Sequence, residues 1–207
     1  TISVKRCQLI FGAHDSGKTR WLMRLHGEWE AVWGAKIKYP PIYISSLTPV
    51  STWVDAPHVA VWHDKREADK QDDDESYKPR YWSNRNQQQK ADYLADYLAD
   101  TGALLFIDDA HKLTGRKLQI ARACMINASI WLMTCSQENR LPPNMRTITE
   151  RRDPQRTRLQ TDASYDATQF VVWFLIVGSL GIGWWEAGLV LGGLKMLGSG
   201  RRSARPD

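Results

Sequence analysis

The chain has 207 residues, of which 43% are hydrophobic and 25% are charged. This leaves room for one α/β domain of ordinary size with an appendage, and it excludes a disordered chain. The formal net charge of +5 is compatible with nucleic acid or an anionic membrane surface as a partner, without requiring either. The three cysteines lie in apolar stretches, a pattern typical of buried, reduced thiols.

Apolar runs and helical spacing predict the elements in chain order. Residues 7–12 (CQLIFG) form an apolar run that stops at a glycine, which predicts a buried strand. Similar runs predict strands at residues 41–46, 58–63, 103–108, 129–135 and 147–150, and helical spacing predicts helices at residues 17–33, 87–100 and 112–127. Strands that are apolar throughout and alternate with helices predict an α/β fold, a parallel sheet with helices on both faces.

Residues 12–19 (GAHDSGKT) match the phosphate-loop pattern G-x-x-x-x-G-K-[ST] between a predicted strand and a predicted helix. In such a loop the backbone N–H groups and the helix N-terminus surround the β-phosphate of a nucleotide. The lysine bridges the β- and γ-phosphates and the threonine hydroxyl ligates Mg²⁺. The predicted nucleotide-binding residues are Gly12, Ala13, His14, Asp15, Ser16, Gly17, Lys18 and Thr19. No guanine-reading motif is present, so we expect ATP.

Asp108 ends the predicted strand at residues 103–108, and a second acid, Asp109, begins the loop after it. Because ligands bind at the carboxyl ends of parallel strands, Asp108 is expected in the Mg²⁺ shell together with Thr19. Asp109 stands where many ATPases carry a glutamate that activates water. Aspartate is one methylene shorter, which favours slow hydrolysis or help from a neighbour. His111 is a candidate helper, with a surface histidine as the alternative interpretation.

The residues after the next predicted strand contain a candidate sensor and several arginines. Gln137, preferred over Ser136, is expected to contact the γ-phosphate, with capping of the loop as the alternative. An arginine that reaches a neighbouring subunit's nucleotide would stabilise transition-state charge. Arg146 and Arg140 are the first candidates, and solvated side chains are the alternative.

The ATPase domain is predicted to cover residues 1–150, with a polar, mobile insertion at about residues 64–85. An arginine-rich connector follows at residues 151–169. Residues 170–194 carry one charged side chain and would span roughly 37 Å as a helix, against a hydrocarbon core of about 30 Å. We therefore predict a transmembrane or re-entrant helical segment, with a buried core or oligomerisation helix as the alternative, and a basic tail at residues 195–207.

The order of these motifs, followed by residues 141–146 (LPPNMR), resembles the FtsK/HerA superfamily. That superfamily includes packaging ATPases of membrane-containing viruses and Zot-like assembly ATPases of filamentous phages. The resemblance implies that Gln137 is the sensor, that the arginines after it approach a subunit interface, and that the chain forms a ring. Asp109 departs from the usual glutamate. Residues 107–113 (IDDAHKL) are also similar to AAA+ ATPases of the transposition-regulator type, which normally carry a helical lid where this chain has the connector.

Three functional hypotheses follow. The first is a membrane-anchored, oligomeric ATPase that couples hydrolysis to DNA translocation, DNA packaging or phage virion assembly. The second is a nucleotide switch that oligomerises on DNA and recruits a partner protein. The third is a membrane-directed NTPase without a role on DNA, whose arginines bind anionic lipid headgroups. A membrane-associated protein with a cytoplasmic ATPase domain, at a host or virion membrane, is expected.

Overall fold

The computed structural model of the chain describes residues 4–13 and 15–159. Five strands form one sheet in the order β2-β3-β4-β1-β5, and every neighbouring pair is parallel. Their bounds are β1 (Gln8–Gly12), β2 (Ile42–Ser45), β3 (Leu105–Asp108), β4 (Trp131–Cys135) and β5 (Gln155–Leu159). The predicted parallel α/β fold is confirmed. Apolar runs of this kind form such a sheet because its strands are buried on both faces.

Helices cover both faces of this sheet. They are α1 (Lys18–Gly27), α2 (Trp29–Trp33), α3 (Val50–Val54), α4 (Pro57–Asp73), α5 (Gln87–Thr101), α6 (Gly115–Asn127) and α7 (Pro143–Arg152). On one face, α1 and α2 pack against the sheet through a cluster that includes Ile10, Leu22, Trp33, Phe106 and Leu132. On the other face, α5, α6 and α7 contribute to a cluster that includes Leu9, Leu94, Ile107, Met125, Met133 and Met145.

Helix α5 shows how local sequence sets the bounds of an element. The Gln89 N–H donates to Asn86 Oδ1 at 2.9 Å, and the Asn86 N–H donates to Gln89 Oε1 at 3.2 Å. This reciprocal capping box satisfies backbone donors that the first turn leaves free. The helix ends before Gly102, whose φ of 64° is the left-handed conformation that glycine adopts at little steric cost. The helix predicted at residues 87–100 is confirmed.

Two predicted strands are wrong. Residues 58–63 lie in α4, which begins with Pro57 and buries Val59, His63 and Glu67. This spacing of four is helical, and a run of six residues is too short to separate the two periods. Residues 147–150 lie in α7, which begins at Pro143, where a proline at the first helical position is tolerated because its missing N–H has no helical acceptor.

The segment predicted as an insertion at residues 64–85 is helical as far as Asp73 and then runs to a 3₁₀ turn at Trp82–Asn84. Glu67 holds this second part against α4. Its carboxylate accepts hydrogen bonds from the Tyr77 hydroxyl at 2.9 Å, the Arg80 N–H at 3.0 Å and the Arg85 guanidinium at 3.2 Å.

Strand β5 extends the sheet beyond residue 150, into the segment predicted as an arginine-rich connector. It pairs in parallel with β1, and Gly12 lies opposite Leu159. None of the helices in the described ranges has both the length and the apolar character needed to cross a bilayer. The predicted membrane segment at residues 170–194 and the tail at residues 195–207 lie outside the described residues.

Candidate nucleotide-binding site

The loop between β1 and α1 needs glycine at two positions. A Cβ atom on Gly12 would lie 2.4 Å from the Leu159 carbonyl oxygen and 2.9 Å from Ser16 Oγ, distances that real side chains do not tolerate. Gly17 has a φ of 77°, in the left-handed region. A Cβ atom there would meet no atom, so conformation and not space requires this glycine. Of the predicted loop residues, His14 lies outside the described residues.

Lys18 begins α1 with its side chain largely buried, 7% exposed. Its Nζ donates to the carbonyl oxygens of Gly12 at 3.0 Å and Ala13 at 2.5 Å, and to Ser16 Oγ at 3.2 Å. The ammonium group is therefore held over the loop by uncharged oxygens. Phosphate oxygens are stronger acceptors for such a group, because their negative charge adds a Coulomb attraction that carbonyl and hydroxyl oxygens lack.

Asp108 is the last residue of β3, and its buried side chain is hydrogen-bonded to α1. Thr19 Oγ1 donates to Asp108 Oδ1 at 3.1 Å, and Thr134 Oγ1 donates to the same oxygen at 2.6 Å. The backbone N–H of Asp109 donates to Thr134 Oγ1 at 2.9 Å. Burial and then the Asp108 charge raise the pKa of the Tyr43 hydroxyl well above its ordinary range. The structure thus brings together Thr19 and Asp108, as the sequence predicts.

A hydroxyl and a carboxylate are hard oxygen ligands of the kind that Mg²⁺ prefers. The described residues contain no group of three metal-binding side chains. In a nucleotide site Mg²⁺ keeps several waters and takes further ligands from phosphates, so one or two protein oxygens are a typical set. Thr19 and Asp108 fit the predicted Mg²⁺ site on these grounds.

Asp109 follows β3 in a left-handed conformation, with a φ of 51°. Its carboxylate is 14% exposed and accepts from Lys112 Nζ at 2.6 Å. His111 accepts the Ser136 N–H on Nδ1 at 3.3 Å, so this nitrogen carries no proton in the observed contact. Burial lowers the pKa of His111, and the positive charges of Lys112, Lys18 and Arg140 lower it further, against the opposing effect of Asp109.

A cleft of about 720 Å³ opens beside the loop, at the carboxyl ends of β1, β3 and β4. It is lined by side chains that include Lys18, Asp109, His111, Gln137, Arg140 and Arg158. Ser136 also lines it, and its buried Oγ has no hydrogen-bond partner among the described residues. A second cleft of about 470 Å³ lies on the α1 side, lined by residues that include Gly17, Lys18, Thr19, Arg20 and Met23. Lys18 and Asp109 line both clefts.

Two of the residues predicted to act after β4, Gln137 and Arg146, are placed differently. Gln137 lines the larger cleft with an exposed side chain, whereas Arg146 does not line it. The Arg146 guanidinium donates to the carbonyl oxygens of Asn139 and Leu141 and so supports the 3₁₀ turn at Glu138–Arg140. Its predicted role on a neighbouring subunit's nucleotide stays a prediction.

The sequence patterns predict no role for Thr134, Lys112 or Arg158. Thr134 could have been found, because it is the hydroxyl-bearing residue of the otherwise apolar run WLMTC. Lys112 ends the 3₁₀ turn Ala110–Lys112 that directly follows Asp109, and this turn brings its ammonium group to the Asp109 carboxylate. Arg158 reaches the cleft only because β5 joins the sheet beside β1.

The fold and the loop match the core of a P-loop NTPase: a parallel sheet with a phosphate loop after β1, a lysine over the loop and an acid ending β3. No family model matches the sequence, and no curated protein matches it. The resemblances to FtsK/HerA and to AAA+ transposition regulators stay predictions.

Three solved structures are similar at low identity. A DNA replication initiation factor is 15% identical with a TM-score of 0.42, over 86% of this chain and 46% of that one. Cdc6p from Pyrobaculum aerophilum is 17% identical with a TM-score of 0.41, over 74% and 38%. AMPPCP-bound DnaA from Aquifex aeolicus is 15% identical with a TM-score of 0.38, over 77% and 42%. The chain spans less than half the length of each, and likeness of this size does not define an activity.

Proposed function

We propose that this protein binds ATP with Mg²⁺ at residues 12–19 and hydrolyses it. The observation that carries the proposal is the contact between α1 and β3, where Thr19 Oγ1 meets Asp108 Oδ1 at 3.1 Å, while the Lys18 ammonium is held over the loop by the Gly12 carbonyl oxygen. Three groups that phosphoryl transfer needs, a cation, a hydroxyl and a carboxylate, therefore meet at one edge of the sheet.

Each group has a separate task. The loop N–H groups and Lys18 bind and orient the phosphates, so that the γ-phosphate is held for attack by water. Thr19 and Asp108 would hold Mg²⁺, which when bound neutralises charge on the phosphate oxygens. Asp109 is the proposed acceptor of the water's proton, and Gln137 is proposed to contact the γ-phosphate.

The test measures ATP binding and phosphate release by the full chain, with Lys18→Ala beside it. We expect hydrolysis to fall by about 10²-fold or more, since a donor to the transferring phosphate is lost. The matched control is Lys36→Ala, an exposed lysine that lines neither cleft. Equal hydrolysis by the wild type and Lys18→Ala would contradict the proposal.

For the biological process, we propose an oligomeric ATPase that acts on DNA, as a translocation, packaging or virion-assembly motor. The net charge of +5 supports an anionic partner. Hydrolysis stimulated by DNA, from a protein that forms rings, is the expected result. Hydrolysis indifferent to DNA, from a protein that never assembles, would contradict it.

One observation favours the second candidate, a nucleotide switch on DNA. The proposed base, Asp109, is an aspartate whose carboxylate is engaged by Lys112 at 2.6 Å. Both features favour slow hydrolysis, which suits a timer more than a motor. Nucleotide-dependent filaments on DNA, with slow turnover, would support the switch.

Membrane association is proposed from the sequence of residues 170–194 alone, with the ATPase domain on the cytoplasmic side. A chain that fractionates with membranes only when this segment is present would support it. If lipid binding persists after the segment is deleted and no DNA binding is found, the membrane-directed NTPase becomes the better hypothesis.

A further inference from the structure

The larger cleft contains two arginines whose side chains have no partner among residues 4–13 and 15–159. Arg140 lies in the 3₁₀ turn after β4, and Arg158 lies on β5 opposite Phe11 of β1. Both line the cleft together with Lys18. Within the described part of the chain, neither guanidinium makes a hydrogen bond or an ion pair.

Neighbouring arginines are engaged, which makes this pair different. Arg156 also lies on β5, and its guanidinium binds Glu138 at 3.1 Å and Asp153 at 3.3 Å. Arg146 is held by backbone carbonyl oxygens. The network around the 3₁₀ turn therefore uses two of its arginines in the fold and leaves Arg140 and Arg158 to the cleft.

The charge balance of the cleft is positive. Its two carboxylates are already paired, Asp109 with Lys112 and Glu138 with Arg156. Lys18 is held by uncharged loop oxygens, and it and the two arginines have no carboxylate partner among the described residues. Three cations around one cleft favour an anion, and guanidinium groups match phosphate oxygens in pairs.

The position of Lys18 indicates which end of a nucleotide enters this cleft. Lys18 lines both clefts, so a nucleotide bound across it extends into each of them. The smaller cleft contains Thr19 and residues of α1, with one exposed methionine, Met23. The larger cleft contains Arg140 and Arg158, whose guanidinium groups suit the terminal phosphate.

We propose that Arg140 and Arg158 bind the γ-phosphate of the nucleotide held by their own chain, and so make the site select triphosphate over diphosphate. This inference rests on the proposed nucleotide binding at residues 12–19. It differs from the predicted role of an arginine on a neighbouring subunit's nucleotide, because both arginines line the cleft of the same chain as Lys18.

The test compares the affinities of the full chain for ADP and for a non-hydrolysable ATP analogue, by calorimetry with Mg²⁺ present. Arg140→Gln and Arg158→Gln are each expected to lower analogue affinity about tenfold or more, while ADP affinity changes less than about threefold. The matched control is Arg122→Gln, an exposed arginine on α6 that does not line the cleft, for which both affinities stay at wild-type values.

The outcomes separate the two proposals. Equal losses for ADP and the analogue, or no loss for either, would overturn the γ-phosphate role while leaving nucleotide binding intact. A wild-type chain that binds neither nucleotide would overturn the proposed function, and this inference with it. Both arginines are exposed, so the glutamine variants are expected to unfold at the wild-type temperature, which a thermal scan checks.

Discussion

Thr134 joins the two acids that follow one another at the end of β3. Its hydroxyl donates to Asp108 at 2.6 Å and accepts the N–H of Asp109 at 2.9 Å. The residue is fully buried, so neither contact can be replaced by bulk water. One side chain thus positions both the proposed Mg²⁺ ligand and the backbone of the proposed base.

Replacing Thr134 by valine keeps its shape and removes the hydroxyl. The N–H of Asp109 and one oxygen of Asp108 then lose a partner in the interior, which we expect to lower the free energy of unfolding by about 1–3 kcal/mol. Hydrolysis should fall as well. Urea unfolding and phosphate release measure the two effects. Thr134→Ser is the control, since it keeps the hydroxyl; equal behaviour of the two variants would show that the hydroxyl does not matter.

Helix α4 and the segment after it depend on one buried carboxylate. Burial by itself raises the pKa of Glu67. Hydrogen bonds from Lys70, the Arg80 N–H and Tyr77, together with the positive charge of Lys70, outweigh burial. They lower the pKa to about 2, against an ordinary value of 4.5. A carboxylate that binds its proton less readily when folded stabilises the folded state above its unfolded pKa. That contribution, on the order of 3 kcal/mol, is lost as the pH falls from about 5 towards 2.

We therefore expect the wild type to lose stability more steeply than Glu67→Gln between about pH 5 and about pH 3. The variant lacks the charge, so its free energy of unfolding should be lower near neutral pH and should change less with pH below about 5. Urea unfolding at several pH values measures both. Glu30→Gln, at an exposed position on α2, should keep the wild-type slope. Parallel curves for wild type and Glu67→Gln would contradict the role of the buried carboxylate.

Strand β5 makes the phosphate loop depend on residues far along the chain. It pairs with β1 from Gln8 to Gly12, and the Leu159 carbonyl oxygen lies where a Cβ on Gly12 would clash. Arg6 also reaches back to this region, since its guanidinium binds Asp153 at 2.9 Å. The strand therefore supports the edge of the sheet from which the nucleotide site is built.

A fragment that ends at residue 152 lacks β5, whereas one that ends at residue 160 keeps the whole sheet. We expect the shorter fragment to melt at least about 5 °C lower, because the parallel pairing to β1 is lost. Its affinity for ATP should fall as well, since Leu159 no longer borders Gly12. Thermal unfolding and nucleotide titration of the two fragments test this. Indistinguishable fragments would show that β5 is dispensable for the site.

Most of the sheet can be predicted from the sequence, because the inner strands are apolar throughout. Residues 103–108 and 129–135 can be buried on both faces only in a parallel sheet between helices. Strand β5 was not predicted, because its sequence QRTRL is polar except for Leu159 and is typical of a connector. An edge strand needs only one neighbour, so its sequence carries a weaker signal.

The phosphate loop, the acid at the end of β3 and the parallel sheet can all be predicted from the amino-acid sequence alone. Each of these follows from local chemistry, namely glycine conformations, a fixed lysine spacing and apolar runs. The fold was needed to show that residues 58–63 are helical, that Thr134 joins Asp108 to Asp109, and that Arg158 lines the cleft. The helix is defined by the burial of Val59, His63 and Glu67, which extends beyond the short run. The contacts of Thr134 and the position of Arg158 join residues distant in the chain, and they exist only once the sheet has brought its carboxyl ends together.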